Sequence, residues 1–350
     1  MNTHEIQERF ADLRAAGKRH KDAAKALGIS EGQAIAAHAG AAGRALQATP
    51  LRGPWLGLLQ GLEACGPVLA LTRNESTVHE KTGVYQKLSG SGHVALALGE
   101  EIDLRLFFNH WHAGFAVTEG ASLSLQFFDR HGLAVHKVFA REATDRDALQ
   151  ALIATHADHV GQPAAFEPPV AKAPPRPDGA IDATALSGAW SQMKDTHEFF
   201  GLLKKFDVER QQSFRLAEGA FTRRAPASAV RDLLHEAAFD GTPVMVFVGS
   251  PGCIQIHSGP VRRIEPMEVH GMQWLNVLDP GFNLHLREDL IDAVWVVEKP
   301  TSDGVVTSVE AFDRRGELMA MFFGARKPGK PELEDWRAIV KKLPRLEVAA

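Results

Sequence analysis

Apolar residues recur with helical spacing at the beginning of each half of the chain and again near its end. Ile6, Phe10 and Leu13 lie three or four positions apart, which places them on one face of a helix. Residues 186–206 are rich in Trp, Met, Phe and Leu, and residues 332–343 carry another apolar stripe. We therefore predict helices in these segments.

Between the helical segments, apolar and polar residues alternate in short stretches, many of them separated by glycine-containing turns. Such alternation is typical of half-buried strands joined by tight turns. The stretches are 93–98, 104–108, 123–128, 243–248, 284–286, 294–297 and 305–312. Adjacent short strands beside helices favour an α+β fold built on antiparallel sheets.

The two halves share short motifs in the same order. Phe-Asp-Arg-His-Gly at 128–132 reappears as Phe-Asp-Arg-Arg-Gly at 312–316. Upstream, Leu-x-Leu at 104–106 matches Leu-x-Leu at 284–286, and the surrounding residues keep the same register. We interpret these matches as an internal duplication. The differences between the halves then become the best indicators of function.

A proline-rich segment at residues 162–180 separates the halves. It contains six prolines among alanines, and such a sequence cannot sustain a helix or a central strand. We predict an N-terminal repeat at 1–161, a linker at 162–180 and a C-terminal repeat at 181–350. This number of domains suits a chain of 350 residues.

Composition and charge exclude several classes of protein. The net charge of −4 offers no electrostatic basis for binding nucleic acid or an anionic membrane. Two cysteines fit a reducing compartment. The N-terminus has no apolar signal core, and no apolar run reaches the roughly 20 residues that span a bilayer. We expect a soluble cytoplasmic protein without membrane insertion.

One histidine has surroundings that indicate chemistry. His197 follows Met193 and precedes Phe199, Phe200 and two leucines. A neutral imidazole among such residues suits an axial ligand to the iron of a large, flat, apolar cofactor. The acidic edge of that cofactor would need a cation, and Arg210 follows on the next predicted helix. The alternative is a partly buried histidine that bonds only to a neighbour.

A second functional alternative concerns residues 20–36, which have the pattern of a helix-turn-helix. The same pattern describes any two packed helices, and few basic residues follow Lys25 to contact phosphates. A nucleic-acid-binding regulator that uses this segment is the alternative from a different functional class.

Several longer motifs resemble the HemS/ChuS/HmuS/PhuS family of bacterial cytoplasmic haem-utilisation proteins, the haemin-degrading factors. The resemblance covers nearly the whole chain, including the duplication and the linker. Its motifs are Arg73-Asn74-Glu75, Val78-His79-Glu80-Lys81, Asp103-Leu104-Arg105-Leu106-Phe107, His197-Glu-Phe-Phe-Gly-Leu, Arg210-Gln211-Gln212, residues 249–259, Lys299-Pro300-Thr301-Ser302-Asp303-Gly304 and Phe323-Gly324-x-Arg326.

The resemblance implies an α+β fold with two repeats, each a large antiparallel sheet flanked by helices, and a haem held mainly by the C-terminal repeat. His197 matches the axial iron ligand. Arg105 matches a distal arginine with a role in turnover, and Phe107 matches a distal aromatic residue from the N-terminal half.

The remaining family positions surround the haem edge and one of its faces. Arg210, Lys299 and Arg326 match basic residues near the propionates, and Phe247 matches a wall residue. Arg105 aligns with His285 in the other repeat, so a distal role for Arg105 would not be shared by both halves.

The chain departs from the family ahead of Phe-Gly-x-Arg, where a tyrosine and a glutamine are expected. Residues 319–323 read Met-Ala-Met-Phe-Phe, and the only tyrosine is Tyr85. Propionate contacts in this stretch are therefore expected to be fewer or to come from different residues. His79 is the natural ligand for a second haem in the N-terminal half, and the alternative is an ordinary strand or turn histidine.

The expected function is haem binding in bacterial haem uptake and iron acquisition. The protein would carry haem, degrade it oxidatively to release iron, or do both. Degradation would need an external electron donor, because no flavin or nicotinamide motif is visible. The partners implied are a haem importer and a haem oxygenase or reductase.

Overall fold

The structure, a computed structural model, describes residues 1–160, 164–327 and 329–346. The described residues form two compact units. The N-terminal unit comprises residues 1–74, 78–160, 164–170 and 249–256. The C-terminal unit comprises residues 75–77, 171–248, 257–327 and 329–346.

The regular elements of the first half of the chain begin with three helices and continue with strands. They are α1 (Thr3–Ala15), α2 (His20–Ala26), α3 (Glu31–Ala36), β1 (Leu46–Leu51), α4 (Trp55–Gly61), β2 (Val68–Arg73), β3 (Thr77–Gly83), β4 (Leu88–Ser91), β5 (Val94–Leu98), β6 (Asp103–Phe107), β7 (Ala113–Glu119), β8 (Ser122–Phe128), β9 (Ala134–Ala140) and α5 (Arg146–His156).

The second half has the same succession of elements. They are α6 (Ala183–Ser191), α7 (Glu198–Phe206), α8 (Arg210–Leu216), β10 (Thr222–Ala225), α9 (Ala229–Asp240), β11 (Val244–Gly249), β12 (Cys253–Gly259), β13 (Ile264–Val269), β14 (Met272–Asp279), β15 (Phe282–Arg287), β16 (Ile291–Thr301), β17 (Gly304–Asp313), β18 (Leu318–Gly324) and α10 (Glu334–Lys342).

Each unit contains an antiparallel sheet, and the two sheets have the same strand order over five strands. The N-terminal unit has β1-β7-β8-β9-β2-β3, and the C-terminal unit has β10-β16-β17-β18-β11. Residues 253–256 of β12 pair with β6 in the N-terminal unit, where β5 and β4 follow, while β15, β14 and β13 pair within the C-terminal unit. Helices flank these sheets, so the predicted α+β class is confirmed.

The repeated Phe-Asp-Arg-x-Gly motif forms the same turn in both units. Asp129 Oδ1 accepts hydrogen bonds from the backbone N–H groups of residues 131 and 133, each at 2.9 Å. Asp313 Oδ1 accepts equivalent bonds from residues 315 and 317 at 2.9 and 3.0 Å. Gly132 and Gly316 have φ of 76° and 75°, values that glycine adopts without steric cost. The duplication is therefore visible in structure as well as in sequence.

In the C-terminal unit, the central sheet has helices on both faces. Its β11 and β18 bury Val244, Val246, Val248 and Phe322 against residues of α9 and α10. On the opposite face, Trp295 and Phe312 lie in one cluster with residues of α6, α7 and α8. This second cluster supports the segment that carries His197.

The predicted domain limits stay a prediction, because they describe sequence repeats and not compact units. The division at residue 170 falls inside the predicted linker, but residues 249–256, predicted as part of the C-terminal repeat, belong to the N-terminal unit. Residues 161–163, at the start of the linker, lie outside the described residues. The predicted limits thus follow the sequence repeats rather than the compact units.

The helix-turn-helix pattern corresponds to α2 and α3, but α3 is packed into the N-terminal unit. Glu31, Gly32, Ala34 and Ile35 are buried, and the Glu31 carboxylate accepts a hydrogen bond from Lys137 Nζ at 2.6 Å. A recognition helix must present its side chains to a DNA groove. The buried faces of α3 therefore do not suit the nucleic-acid alternative.

In the described part of the chain, every helix is too short or too polar to cross a lipid bilayer.

Candidate functional site

His197 is the residue immediately before α7, and its side chain is exposed. The imidazole has 90 % of its surface accessible, and its Nδ1 lies 2.6 Å from Asp195 Oδ1. The same carboxylate oxygen accepts a hydrogen bond from the His197 backbone N–H at 2.8 Å. The ring is therefore fixed at Nδ1 by Asp195, and most of its remaining surface is exposed.

The sequence placed His197 on or beside an apolar helix face, and the structure locates it beside one, immediately before α7. The apolar segment 186–206 is two helices, α6 and α7, and residues 192–197 between them are not helical. Asp195 supplies the acceptor that satisfies the N–H group of His197 at the start of α7. His197 consequently lies at a helix end, where its ring is not covered by the core.

The loop before α7 is held from both sides. The backbone N–H of Lys194 donates to Glu198 Oε2 at 3.0 Å, and Ser302 N–H donates to the Lys194 carbonyl at 2.9 Å. Two residues into the helix, Phe199 is buried with its ring edge-on to Trp190 at 4.6 Å between centroids. Hydrogen bonds and packing therefore fix the backbone on both sides of His197.

Arg210 and Lys299, both predicted as cations of the site, pair with a buried carboxylate. Glu310 on β17 is fully buried and accepts two hydrogen bonds from Arg210, at 2.6 and 2.8 Å. Lys299 Nζ donates to Glu310 at 3.1 Å and to Ser308 at 3.2 Å. The Arg210 and Lys299 cations also lie 5.2 and 5.0 Å from the ring centroid of Phe199, within cation–π range.

Burial and charge act in opposite directions on this group. Burial alone would raise the pKa of Glu310, but the charges of Arg210 and Lys299 outweigh it and lower that pKa to about 2. Burial lowers the pKa of Lys299 to about 8, and Glu310 offsets only part of that effect. Glu310 is therefore ionised at neutral pH and holds both cations beneath α7.

An apolar floor lies beside this group. Met245 and Phe247 on β11 are paired with Phe323 and Met321 on β18, and all four side chains are half-buried. The Phe247 and Phe323 ring centroids are 5.0 Å apart. Met321 Sδ lies 3.3 Å from Arg210 Nη2, so Arg210 connects the floor to Phe199 and α7.

Arg326 follows β18, and its positive charge acts on Asp195 in the loop before α7. Its Nη1 is buried and lies 3.9 Å from Asp303 Oδ2, too far for a hydrogen bond. Among the described residues, that nitrogen has no hydrogen-bond acceptor. The hydrogen bond from the His197 backbone N–H is the largest cause of a lowered Asp195 pKa, and the charge of Arg326 also contributes. Arg326 is thus electrostatically coupled to the His197 loop.

The C-terminal unit therefore brings together five predicted site residues, with different degrees of accessibility. Arg326 has an unsatisfied donor, whereas Lys299 is only 3 % exposed at its side chain and would have to leave Glu310 to contact a ligand. Its predicted propionate contact stays a prediction. The five residues are His197, Arg210, Phe247, Lys299 and Arg326.

The other predicted residues belong to the N-terminal unit. Arg105 lies on β6 and forms an ion pair with Asp103, and Phe107 is the last residue of that strand. His79 lies on β3 with both ring nitrogens buried, so a haem bound there would have to displace neighbouring protein. The second site stays a prediction that this burial does not favour.

Sequence reasoning missed three parts of the site: the hydrogen bond between Asp195 and the His197 ring, the central position of Glu310, and the floor residues Met245, Met321 and Phe323. A signal for Glu310 was present, because it interrupts the otherwise uncharged strand stretch 305–312. A charged residue in such a stretch is paired when buried.

Comparison with known proteins identifies the family of the chain. The chain matches the haemin-degrading HemS.ChuX domain family over residues 28–156 and 207–343. It belongs to this family. The two matched stretches lie in the two repeats, in agreement with the duplication.

Individual relatives of this HemS/ChuX-domain protein match over nearly its full length. Hemin transport protein HmuS of Yersinia pestis is 37 % identical over 342 residues, which cover 95 % of each chain. The solved structure of holo-PhuS, a heme-binding protein from Pseudomonas aeruginosa, matches with a TM-score of 0.93 at 43 % identity and covers 99 % of this chain and 100 % of PhuS.

A third relative is ChuS, the heme degrading enzyme of Escherichia coli O157:H7. It matches with a TM-score of 0.89 at 35 % identity and covers 98 % of this chain and 99 % of ChuS. These matches confirm the predicted family and fold, and they give the nucleic-acid alternative no support.

Proposed function

We propose that this protein binds haem in its C-terminal unit, with His197 as an axial ligand of the iron, and that it serves bacterial haem uptake and iron acquisition. The observation that carries the proposal is the exposed His197 imidazole, fixed at Nδ1 by Asp195. A haem ligand needs an accessible nitrogen, and it also needs a partner that orients the ring.

Other residues of the C-terminal unit fit the other parts of haem. The half-buried floor of Met245, Phe247, Met321 and Phe323 offers an apolar surface to a macrocycle. The buried Nη1 of Arg326 has no hydrogen-bond acceptor among the described residues, and a propionate carboxylate would satisfy it. When bound, haem would supply the iron at which oxygen chemistry occurs.

The site suits two functions, haem transport and haem degradation. In a carrier, the protein would receive haem from an importer and pass it to an oxygenase. In an enzyme, it would degrade haem with oxygen and electrons from an external donor or reductase. Both uses need the same ligand and floor, and the relatives include a transport protein and a degrading enzyme.

The test of the ligand is His197→Ala, with His235→Ala as the control because His235 is an exposed histidine on α9 of the same unit. We expect His197→Ala to shift the Soret band of haemin-loaded protein and to speed haem dissociation. Some haem should stay associated through apolar contact. A His197→Ala spectrum identical to wild type would reject His197 as the ligand.

The test of carrier against enzyme uses wild-type protein loaded with one equivalent of haemin. Ascorbate is added in air with catalase present, and the Soret band is followed. Loss of the band with a defined tetrapyrrole product indicates an enzyme, and a stable band indicates a carrier.

A further inference from the structure

We infer that Asp195 is a positioning residue for His197, which selects the ring nitrogen offered to iron and increases its strength as a donor. The inference rests on the proposed function, in which His197 is the axial ligand. It concerns the reduction potential and the ring tautomer, two properties that the identity of the ligand alone does not set.

The geometry selects one tautomer. An ionised carboxylate only accepts hydrogen bonds, so the 2.6 Å contact between His197 Nδ1 and Asp195 Oδ1 requires the proton on Nδ1. The neutral ring then has its lone pair on Nε2. This nitrogen belongs to a side chain that is 90 % exposed, so the neutral form of the ring offers an oriented ligand atom.

The charge of Asp195 adds a second effect. A short hydrogen bond from an imidazole to a carboxylate moves electron density onto the ring and makes its free nitrogen a stronger donor. A stronger donor stabilises ferric over ferrous iron and therefore lowers the reduction potential. Asp195 would thus favour ferric haem until a reductant of sufficiently low potential delivers an electron.

Asp195 also has a structural role, which the experiment has to separate from the proposed one. Its Oδ1 accepts from the His197 backbone N–H at 2.8 Å, and its carbonyl accepts from Glu198 N–H at 3.1 Å. Asparagine forms the same kind of helix start and keeps an oxygen acceptor for Nδ1 without the negative charge. Asp195→Asn therefore removes the charge alone, whereas Asp195→Ala removes charge and acceptor.

A matched control lies three residues away. Glu198 is also an exposed carboxylate, and its Oε2 accepts from the Lys194 backbone N–H at 3.0 Å. Glu198→Gln removes one negative charge from the same loop and keeps an acceptor oxygen. Any general electrostatic effect of the loop on haem should appear equally in Glu198→Gln and in Asp195→Asn.

The first measurement uses the protein without haem. Long-range ¹H–¹⁵N NMR of the His197 ring should show the Nδ1-protonated tautomer in wild type, Asp195→Asn and Glu198→Gln. In Asp195→Ala, the proton should redistribute toward Nε2. An unchanged tautomer in Asp195→Ala would overturn the positioning role.

The second measurement is the midpoint potential of haemin-loaded protein by spectroelectrochemistry. We expect Asp195→Asn to raise it by about 59 mV, which is the one-electron equivalent of a roughly tenfold change in relative ferric and ferrous affinity. Glu198→Gln should leave it near the wild-type value. Equal shifts in both variants, or no shift in Asp195→Asn, would overturn the donor effect.

The failures of the two ideas are distinguishable. If His197→Ala leaves the haem spectrum unchanged, the proposed ligand is wrong. If His197→Ala changes the spectrum while the Asp195 variants keep the wild-type tautomer and potential, the ligand stands and only the role of Asp195 is rejected.

Discussion

Replacing Glu310 by glutamine should destabilise the C-terminal unit by several kilocalories per mole. Glu310 is fully buried between Arg210 and Lys299, so the change leaves two cations without their counter-ion. Removing one partner of a buried ion pair typically costs about 3–5 kcal/mol. The lowering of the Glu310 pKa from 4.5 to about 2 corresponds to roughly 3 kcal/mol, in the same range.

The same pKa predicts how stability changes with pH. The folded-state pKa of Glu310 is lower than the unfolded value of 4.5, so its contribution is fully present above pH 4.5. As pH falls from 4.5 to about 2, the unfolded chain takes up a proton that the folded chain does not, and the contribution is lost. Glu310→Gln should therefore differ most from wild type at pH 5–7 and converge with it near pH 2.

Urea unfolding of the full chain, followed by circular dichroism at several pH values, measures this difference. Glu236→Gln is the control, because Glu236 forms an exposed ion pair with Lys342 at 2.6 Å, and solvent screens such a pair so that its loss should change stability little. If Glu310→Gln were as stable as wild type at pH 7, or if its deficit did not depend on pH, Glu310 would not act as the counter-ion described.

Three further predictions concern haem. A Soret titration should saturate at one haem per chain, because His79 is buried, and saturation at two equivalent haems would establish a site in the N-terminal unit. Arg105→Ala should retain haem through His197 but alter its absorption spectrum and slow any turnover, whereas an unchanged spectrum and rate would remove Arg105 from the site. Arg326→Gln should speed haem dissociation measured by transfer to apomyoglobin, and an unchanged rate would mean that Arg326 does not bind a propionate.

Local chemistry made much of the fold predictable. The turn at Asp313 needs a short acceptor side chain and a glycine with positive φ, so its sequence can be read directly and compared with the turn at Asp129. Strand alternation likewise follows from burial of one face. The helix limits around His197 were less accessible, because apolar periodicity does not show where residues 192–197 interrupt α6 and α7.

Pairings between distant segments were not predictable from composition or periodicity. Arg210 and Glu310 are one hundred residues apart in sequence, and Lys299 meets both only because β16 and β17 are neighbours in the sheet. The motif match identified the cations, but it could not show that two of them form ion pairs with one buried carboxylate. The third cation, Arg326, differs from these two because its buried Nη1 has no hydrogen-bond acceptor among the described residues.

The two repeats diverge at the positions that form the site. The strand registers make Lys137 equivalent to Met321, since Lys137 pairs with Gln126 and Leu71 as Met321 pairs with Glu310 and Phe247. Glu31 and Arg210 are likewise equivalent, because each is the first residue of a helix that starts with a capping box.

In the N-terminal unit, Glu31 and Lys137 form a buried ion pair at 2.6 Å from the base of the helix to the sheet. In the C-terminal unit, the helix residue is the cation Arg210. Its carboxylate partner, Glu310, lies on β17, the strand next to β18, which carries position 321. Position 321 is thereby free to be methionine, and with Met245, Phe247 and Phe323 it forms a half-buried apolar floor. In both units the buried carboxylate is paired with a cation, as a buried charge needs to be, but the apolar floor and the exposed His197 belong to the C-terminal unit. This divergence is the physical reason to expect haem in the C-terminal unit rather than equally in both.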